Sequence, residues 1–461
     1  IQIYILYNKI VKVMRSTVVD ALYSQDGFWY IAVSPSSTTL TYVISVDVIT
    51  GNPLYTGVPF IDVFTDHSIA LKALSDIGAQ RKIHGEGLIG LASTENATTI
   101  AIIDKTEVTA LFPPNHKIRT IRHVSYIHIP IARNAPKNSV FEDFQTVDNH
   151  YICDTYDLTR LFPVSGIDNP DLGFVWNCGW RKPFEILGIP QVCVYLVQGV
   201  CISKKFDKFG FTLAHVVRRS VLNPGTRYTA RGLNEKNSPG NEVECELLFF
   251  KDNKFWSERW RRGSIPIRWK TTLSSKLGSP KHRVDKEQYF NGTVEYFKNL
   301  TDRFGEIPIR CISLLQTEED HSENEIKGYF KTALEKLFDE GVTNVLFTPF
   351  DLNKHLHADG SGEAMMDFLS YIGPLGECDG FTEGILPNTI EQQQQGLMRF
   401  NCADSLDRTN LATFYYAMKF TAEWCKMMKV GLSNTPNADP NQPNLIIDQN
   451  IIDFLDIKTE L

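Results

Sequence analysis

Two periods of apolar and polar positions alternate along this chain, and the change from one to the other marks its organisation. Through residues 1–130 the pattern is short. Runs of aliphatic, Thr and aromatic residues between turn formers predict strands at 28–33, 41–48, 88–91, 99–103 and 124–131. Residues 1–13 also read as a strand. They are apolar but broken by Asn8, Lys9 and Lys12, and they lack the basic start and small-residue cleavage site of a signal peptide. Residues 66–77 fit a helix. From Gly188 onward, 192–200 and 211–217 read as buried strands. Helical spacing then takes over at 289–304 and at 325–341, where Phe330, Leu334 and Leu337 share a face. Residues 342–347 read as a buried strand, 365–372 as a helical segment, and the Gly-rich 355–362 as a loop. Residues 433–444 have the composition of a linker, and 445–461 carry enough apolar residues to dock on the body.

The most informative change of period lies near the end. Residues 396–400 read as a short strand. From Asp407 the apolar residues Leu411, Phe414, Tyr415, Met418, Ala422 and Cys425 follow a helical spacing. Between strand and helix stands Arg399-Phe-Asn-Cys-Ala-Asp-Ser-Leu-Asp-Arg-Thr-Asn410, a Cys-x5-Arg-Thr sequence. A tight loop of this length turns its N–H groups inward and makes a nest for a phosphate. The helix N-terminus adds a favourable field for an anion. Cys402 is the candidate nucleophile, with a thiolate favoured by that field and by a hydrogen bond expected from Thr409. Arg408 supplies a planar fork for two phosphate oxygens. The backbone N–H groups of 403–408, including those of Ala403, Ser405 and Leu406, would hold the equatorial oxygens. Asp404 and Asp407 are the candidate general acids, one protonating the leaving group and the other bracing the loop. Of the nine cysteines, Cys402 is the one with Arg six positions later.

Charge changes the picture in one region. The chain of 461 residues carries a net charge of −7, which gives no global reason to expect nucleic acid or an anionic membrane. Yet 218–232 holds Arg218, Arg219, Arg227 and Arg231 with no acid. Residues 254–283, with Arg261 and Arg262, hold nine Lys or Arg and one acid, Glu258. Solvated faces usually mix signs, so these stretches point to a local anion-binding surface. Trp256, Trp260 and Trp269 offer an alternative, a stacking platform for nucleic acid, but no repeated aromatic–basic pattern supports it. The scattered cysteines include no CxxC pair, and an odd count argues against a disulfide framework, so a reducing cytosol is expected and no metal site or cofactor is called for. His150 and His215 read as satisfied structural histidines, and His355 with His357 as solvated loop residues. No run of about 18 apolar residues occurs, so no transmembrane segment is expected.

The catalytic-loop sequence resembles that of the Sac-domain phosphoinositide phosphatases. Ser405 stands where most of that family has a second Cys, as in the large plant-type Sac proteins. The resemblance continues in order through His150-Tyr-Ile-Cys-Asp-Thr-Tyr-Asp-Leu-Thr-Arg-Leu-Phe-Pro163, Phe174-Val-Trp-Asn177, Pro224-Gly-Thr-Arg-Tyr228, Ala230-Arg-Gly232, Gly240-Asn-Glu-Val-Glu244 and Arg262-Gly-Ser-Ile-Pro-Ile267, covering about residues 80 to 430. It implies an α/β protein (α+β overall) with a strand-rich N-terminal module at 1–180, an α/β catalytic module at 181–430 and a linker and tail at 431–461. It implies metal-independent hydrolysis of inositol phosphomonoesters by a peripheral protein on the cytosolic face of a membrane, with phosphoinositide lipids as partners and the basic residues facing the head group. A binding module with weak catalysis is the alternative. A protein tyrosine phosphatase is a third reading, disfavoured because Asn401, not His, precedes the Cys.

Overall fold

The computed structural model describes residues 16–25, 27–47, 53–54, 63–130, 149–163, 169–272, 281–317, 322–376, 379–431 and 447–456. The expected strand at 1–13 and the linker at 433–444 lie outside them. The chain divides into two compact units, residues 1–160 with 164–197, and residues 161–163 with 198–461. Its class is α/β.

In the first unit Val18–Tyr23, Phe28–Ser34 and Thr41–Asp47 form an antiparallel sheet, with Gln80–Gly85 beyond the first strand. The helix His67–Asp76 starts on Asp66, whose carboxylate caps the Ser68 N–H, and it buries Ala70 and Leu74. A long hairpin, Ala97–Phe112 with His116–Pro130, pairs with Gly87–Ser93 on one side and His150–Cys153 on the other. The short runs expected at 99–103 and 124–131 are thus parts of strands 16 and 15 residues long, the first lying in the buried half of its strand. Their remaining halves alternate with charged residues, which conceals them as strands.

The second unit carries the chemistry. Its strands are β1 (Val197–Phe206), β2 (Phe211–Arg219), β3 (Val243–Lys251), β4 (Lys254–Ser264), β5 (Trp269–Thr272), β6 (Lys281–Val284), β7 (Ile309–Ser313), β8 (Val345–Pro349), β9 (Thr382–Ile385), β10 (Thr389–Gln392) and β11 (Leu397–Cys402). The helices are α1 (Thr293–Phe304), α2 (Ser322–Asp339), α3 (Leu352–Gly376), α4 (Asp407–Met428) and α5 (Gln449–Leu455). The sheet order is β8-β7-β11-β4-β3-β2-β1. β1 to β4 form an antiparallel meander, while β11 runs parallel to both β4 and β7.

Each face of this sheet has its own core. On one, Trp260, Met398 and Phe400 pack against Tyr416, Phe420 and Trp424 of α4, with Ile451 and Phe454 of α5 in the same cluster. On the other, Ile309, Cys311 and Leu397 pack against Phe297 of α1 and Phe330 of α2. β11 is covered on both sides, so all six of its residues are buried.

Several sequence expectations are corrected here. The strand placed at 192–200 begins only at Val197, because Pro190–Val192 forms a 3-10 turn. Residues 342–347 are not a buried strand, since β8 starts at Val345 and lies at the sheet edge with Leu346 exposed. Residues 355–362 are not a loop, because α3 runs through them. His215 is not satisfied: both ring nitrogens lack a hydrogen-bond partner among the described residues. Burial first, then the Arg262 charge, pushes its pKa down to about 4, so the ring is neutral. Trp256, Trp260 and Trp269 are all buried, which removes the stacking platform.

Candidate active site

β11 ends on Cys402 and α4 begins at Asp407, so the loop sits at the C-terminal end of a buried parallel strand. Its conformation is legible in its carbonyls. Cys402 O accepts from Ile265 N at 3.2 Å, and Ala403 O from Ser264 Oγ at 2.7 Å. Asp404 O accepts from Asn241 Nδ2 at 3.1 Å, and Ser405 O from Arg262 Nη1 at 2.5 Å. Leu406 O accepts from Thr409 Oγ1 at 3.1 Å and Asn410 N at 2.8 Å. Every carbonyl from 402 to 406 is therefore held by a donor of the surrounding body or of the helix. The Ser405 N–H, in turn, donates to Cys402 Sγ at 3.1 Å. Ser405 itself has φ 61°, the left-handed region, which is uncommon for a residue with a side chain. No side chain caps α4, leaving its first amides available to an anion.

The upstream motifs that carry the resemblance build this cradle. Ser264 Oγ accepts from Gly232 N at 2.9 Å while donating to the loop. Asn241 Oδ1 accepts from Gly225 N and from Arg219 Nη2, both at 3.0 Å. Gly263 is required by close approach, because a Cβ there would lie 2.1 Å from Glu242 Oε2 and 2.6 Å from Arg399 Nη2.

The structure brings Cys402, Asp404, Asp407, Arg408 and the amides of 403–406 together. Asp404 is buried, its Oδ1 is 3.6 Å from Cys402 Sγ, and its Oδ2 accepts from Arg231 Nη2 at 3.0 Å. Asp407 is solvent-facing and pairs with Arg227. Ser405 Oγ is buried with no hydrogen-bond partner among the described residues. Arg408 donates to the Leu314 carbonyl at 3.0 Å and to both oxygens of Glu323 at 2.6 Å. Burial works against the Arg408 charge, but the Glu323 carboxylate outweighs it and holds the guanidinium firmly protonated.

Two site expectations differ from the structure. Thr409 does not reach Cys402; its hydroxyl closes the first turn of α4 on Leu406 O. The thiol is also not poised as a thiolate. Burial pushes the Cys402 pKa up, and Arg408 and the Ser405 N–H offset this only in part. In the ligand-free protein, alkylation of Cys402 by iodoacetamide is therefore expected to have a midpoint above the ~8.5 of a free thiol. Mass spectrometry of the labelled peptide across a pH series measures it. A midpoint below about 7 would contradict this loop state.

The basic residues divide into three groups. Arg227 and Arg231 reach the loop aspartates, and Arg262 and Arg219 brace the loop as described. Arg218 and Arg261 are buried inside the sheet, paired with Glu244 and Glu246 or with Glu242 and Glu244. Those two do not form part of a lipid-facing surface. Beyond Arg231, a cleft of about 900 Å³ mixes both signs, with Lys270, Arg283 and Lys286 beside Glu235, Asp285 and Glu287. Sequence reasoning missed Glu323. The helix was expected to begin at 325, which left this carboxylate outside it.

A sequence profile described as the SacI homology domain matches residues 86–357, more than half of the chain. The chain belongs to that family. The phosphoinositide phosphatase SAC5 of Arabidopsis thaliana is 28% identical over 355 residues, spanning 64% of this chain and 44% of that protein. A polyphosphoinositide phosphatase of Schizosaccharomyces pombe is 24% identical over 364 residues, with 73% of this chain and 42% of the relative covered. Synaptojanin of Caenorhabditis elegans is 29% identical over 268 residues, 56% of this chain and 22% of its own length. The chain thus spans less than half the length of these relatives. The loop at 399–410 lies beyond the profile match, so its chemistry is argued from its own geometry.

Proposed function

We propose that this chain is a phosphoinositide phosphatase that hydrolyses phosphomonoesters of the inositol head group through a phosphocysteine on Cys402. The observation that carries the reading is the outward anchoring of all five carbonyls from 402 to 406, which turns the amides inward; those of Ser405 and Leu406 donate here to Cys402 Sγ and Asp404 Oδ1 and would exchange these acceptors for a phosphate. The names of the relatives supply the substrate class.

In the first step the thiol proton passes to an acceptor, for which Asp404 Oδ1 is at hand, and Sγ attacks phosphorus in line. The S–P bond forms as the P–O bond to the inositol breaks. The leaving oxygen departs on the side of phosphorus away from Sγ. Asp404 touches the nucleophile, so Asp407, which faces solvent, is the acid: it exchanges its pairing with Arg227 for a proton from solvent and gives that proton to the leaving oxygen. Water then displaces the thiolate from phosphorus, giving its proton to Asp407 and releasing inorganic phosphate, and Asp404 returns its proton to Cys402 Sγ. Positive charge comes from Arg408 and the amides, and the steps invoke no metal. The cleft beyond Arg231 would take the rest of the head group. None of the described helices is long and apolar enough to cross a membrane. A peripheral position on the cytosolic face is part of this proposal.

The raised thiol pKa favours one other reading, a phosphoinositide-binding module with weak catalysis. The experiment is phosphate release from vesicles carrying each phosphoinositide in turn, beside a phosphotyrosine peptide, with vesicle binding measured in parallel. Release from one or two lipids and not from the peptide is expected. Release from the peptide alone overturns the substrate class. Binding without any release overturns catalysis and leaves the binding module.

A further inference from the structure

A carboxylate held against the one arginine that should meet a phosphate calls for a reason, because its charge repels the ligand. The hydrogen bonds of Arg408 supply one. A guanidinium has five N–H donors in a fixed plane. Nη1 spends one on Leu314 O at 3.0 Å and one on Glu323 Oε2 at 2.6 Å; Nη2 spends one on Glu323 Oε1 at 2.6 Å. The Nε–H and the second Nη2–H have no partner among the described residues. These two are parallel neighbours on one edge of the plane, and together they form a second bidentate fork of the kind that grips two oxygens of a phosphate.

Glu323 is well fixed for such a task. Its side chain is 6% exposed. Oε2 also accepts from Gln316 N at 3.0 Å, and the residue stands in the first turn of α2, which Ile326 and Phe330 anchor in the core. The charge of Arg408 is felt at Cys402, so the arginine lies close to the nucleophile.

We propose that Glu323 is a positioning residue: with the Leu314 carbonyl it occupies the end-on edge of Arg408 and turns the Nε–Nη2 edge to the phosphate held in the Cys402 loop. This rests on the reading of the loop as a phosphate site and deepens it. Removing the Glu323 charge strengthens the field of Arg408 and should lower the thiol pKa. Removing its geometry lets the fork swing and should weaken phosphate binding and turnover. Charge and geometry therefore push in opposite directions. A merely structural ion pair would shift the thiol through its charge but leave the grip on phosphate unchanged, and a lock that restrains Arg408 would give a more active variant when broken.

The test uses the full chain with Glu323→Gln and Glu323→Asp, each checked by thermal melt. Inorganic phosphate is titrated against iodoacetamide labelling of Cys402, which reports phosphate affinity without any turnover. Turnover on the lipid that wild type hydrolyses best is read as kcat and KM. For Glu323→Gln, protection by phosphate is expected to need about tenfold more ligand, kcat to fall by one to two orders of magnitude with a smaller change in KM, and the labelling midpoint to move to lower pH. Glu323→Asp should recover part of the loss. Equal or tighter phosphate binding by Glu323→Gln, or an unchanged or raised kcat, overturns the proposal. Absence of protection in wild type overturns it as well. If wild type hydrolyses nothing, yet phosphate protects its Cys402 and Glu323→Gln loses that protection, the phosphatase reading fails and the role of Glu323 stands.

Discussion

Replacing Cys402 by Ser is expected to lower phosphate release by roughly four orders of magnitude or more while leaving vesicle binding intact. The variant swaps sulfur for oxygen at a fully buried position at the end of β11. Ser fits the same space, so the sheet and the carbonyl anchors of the loop should be retained. The chemistry is not retained. A hydroxyl ionises far less readily than a thiol, and Asp404, a weak base, is the one side chain bonded to Sγ among the described residues. The amides and Arg408 remain, so the variant should still bind the phosphate it cannot cleave. Rapid quench with radiolabelled lipid supplies the second readout. Label should appear transiently on wild-type protein and not on Cys402→Ser. A variant that keeps more than about a hundredth of the wild-type rate would remove Cys402 from the chemistry.

The second large effect concerns stability. Glu244 lies on β3 with no exposed surface. It accepts from Arg303 through both Nε and Nη2 at 2.7 Å, from Arg261 Nη2 at 2.7 Å, and it sits 3.7 Å from Arg218. Burial alone would raise its pKa. Arg303 and Arg261 outweigh burial and hold the carboxyl well below the usual range. A depressed folded pKa means that the unfolded chain binds the proton more readily. The stability this group contributes is therefore present above the unfolded carboxyl pKa of about 4.3 and is lost as the pH falls below it. Glu244→Gln leaves three guanidinium groups facing a neutral amide. It should cost about 3–5 kcal/mol, the range for breaking a buried pair from one side, and lower the melting temperature by roughly 10 °C. Its stability should also fall less steeply than wild type on acidification. Denaturant titration at neutral and acid pH measures both. A variant as stable as wild type at neutral pH, where the carboxylate is ionised, would show that the network contributes nothing net.

How much was legible in the sequence follows from how local each signal is. The strand, loop and helix around Cys402 were legible because the period of apolar positions changes across only a dozen residues, with the Cys and Arg fixed within them. Arg218 and Arg261 were misread as surface charges because their partners lie on a neighbouring strand. The alternation Glu242, Glu244, Glu246 was visible in the sequence. Its pairing across β2, β3 and β4, with Arg218 opposite Glu244 and Glu244 opposite Arg261, needed the register. The low thiolate character of Cys402 was not legible, since burial depends on the whole core and not on the loop. Residues 355–362 looked like a loop because Gly, His and Asp are weak helix formers. The packing of Leu352, Ala364, Phe368 and Ile372 overrides that propensity.

The anchoring of the loop carbonyls has a consequence for how variation in this chain should be read. The groups that hold the carbonyls of the Cys402 loop are Asn241, Arg262, Ser264 and the backbone of Ile265, all far upstream of the signature. Within the signature, Ala403 and Leu406 contribute mainly backbone. A substitution inside the signature can therefore be benign, while a change well over a hundred residues away, in a segment with no catalytic group, can silence the site by letting one carbonyl turn inward. Screening for loss of function by inspecting the Cys-x5-Arg segment alone would score both cases the wrong way round.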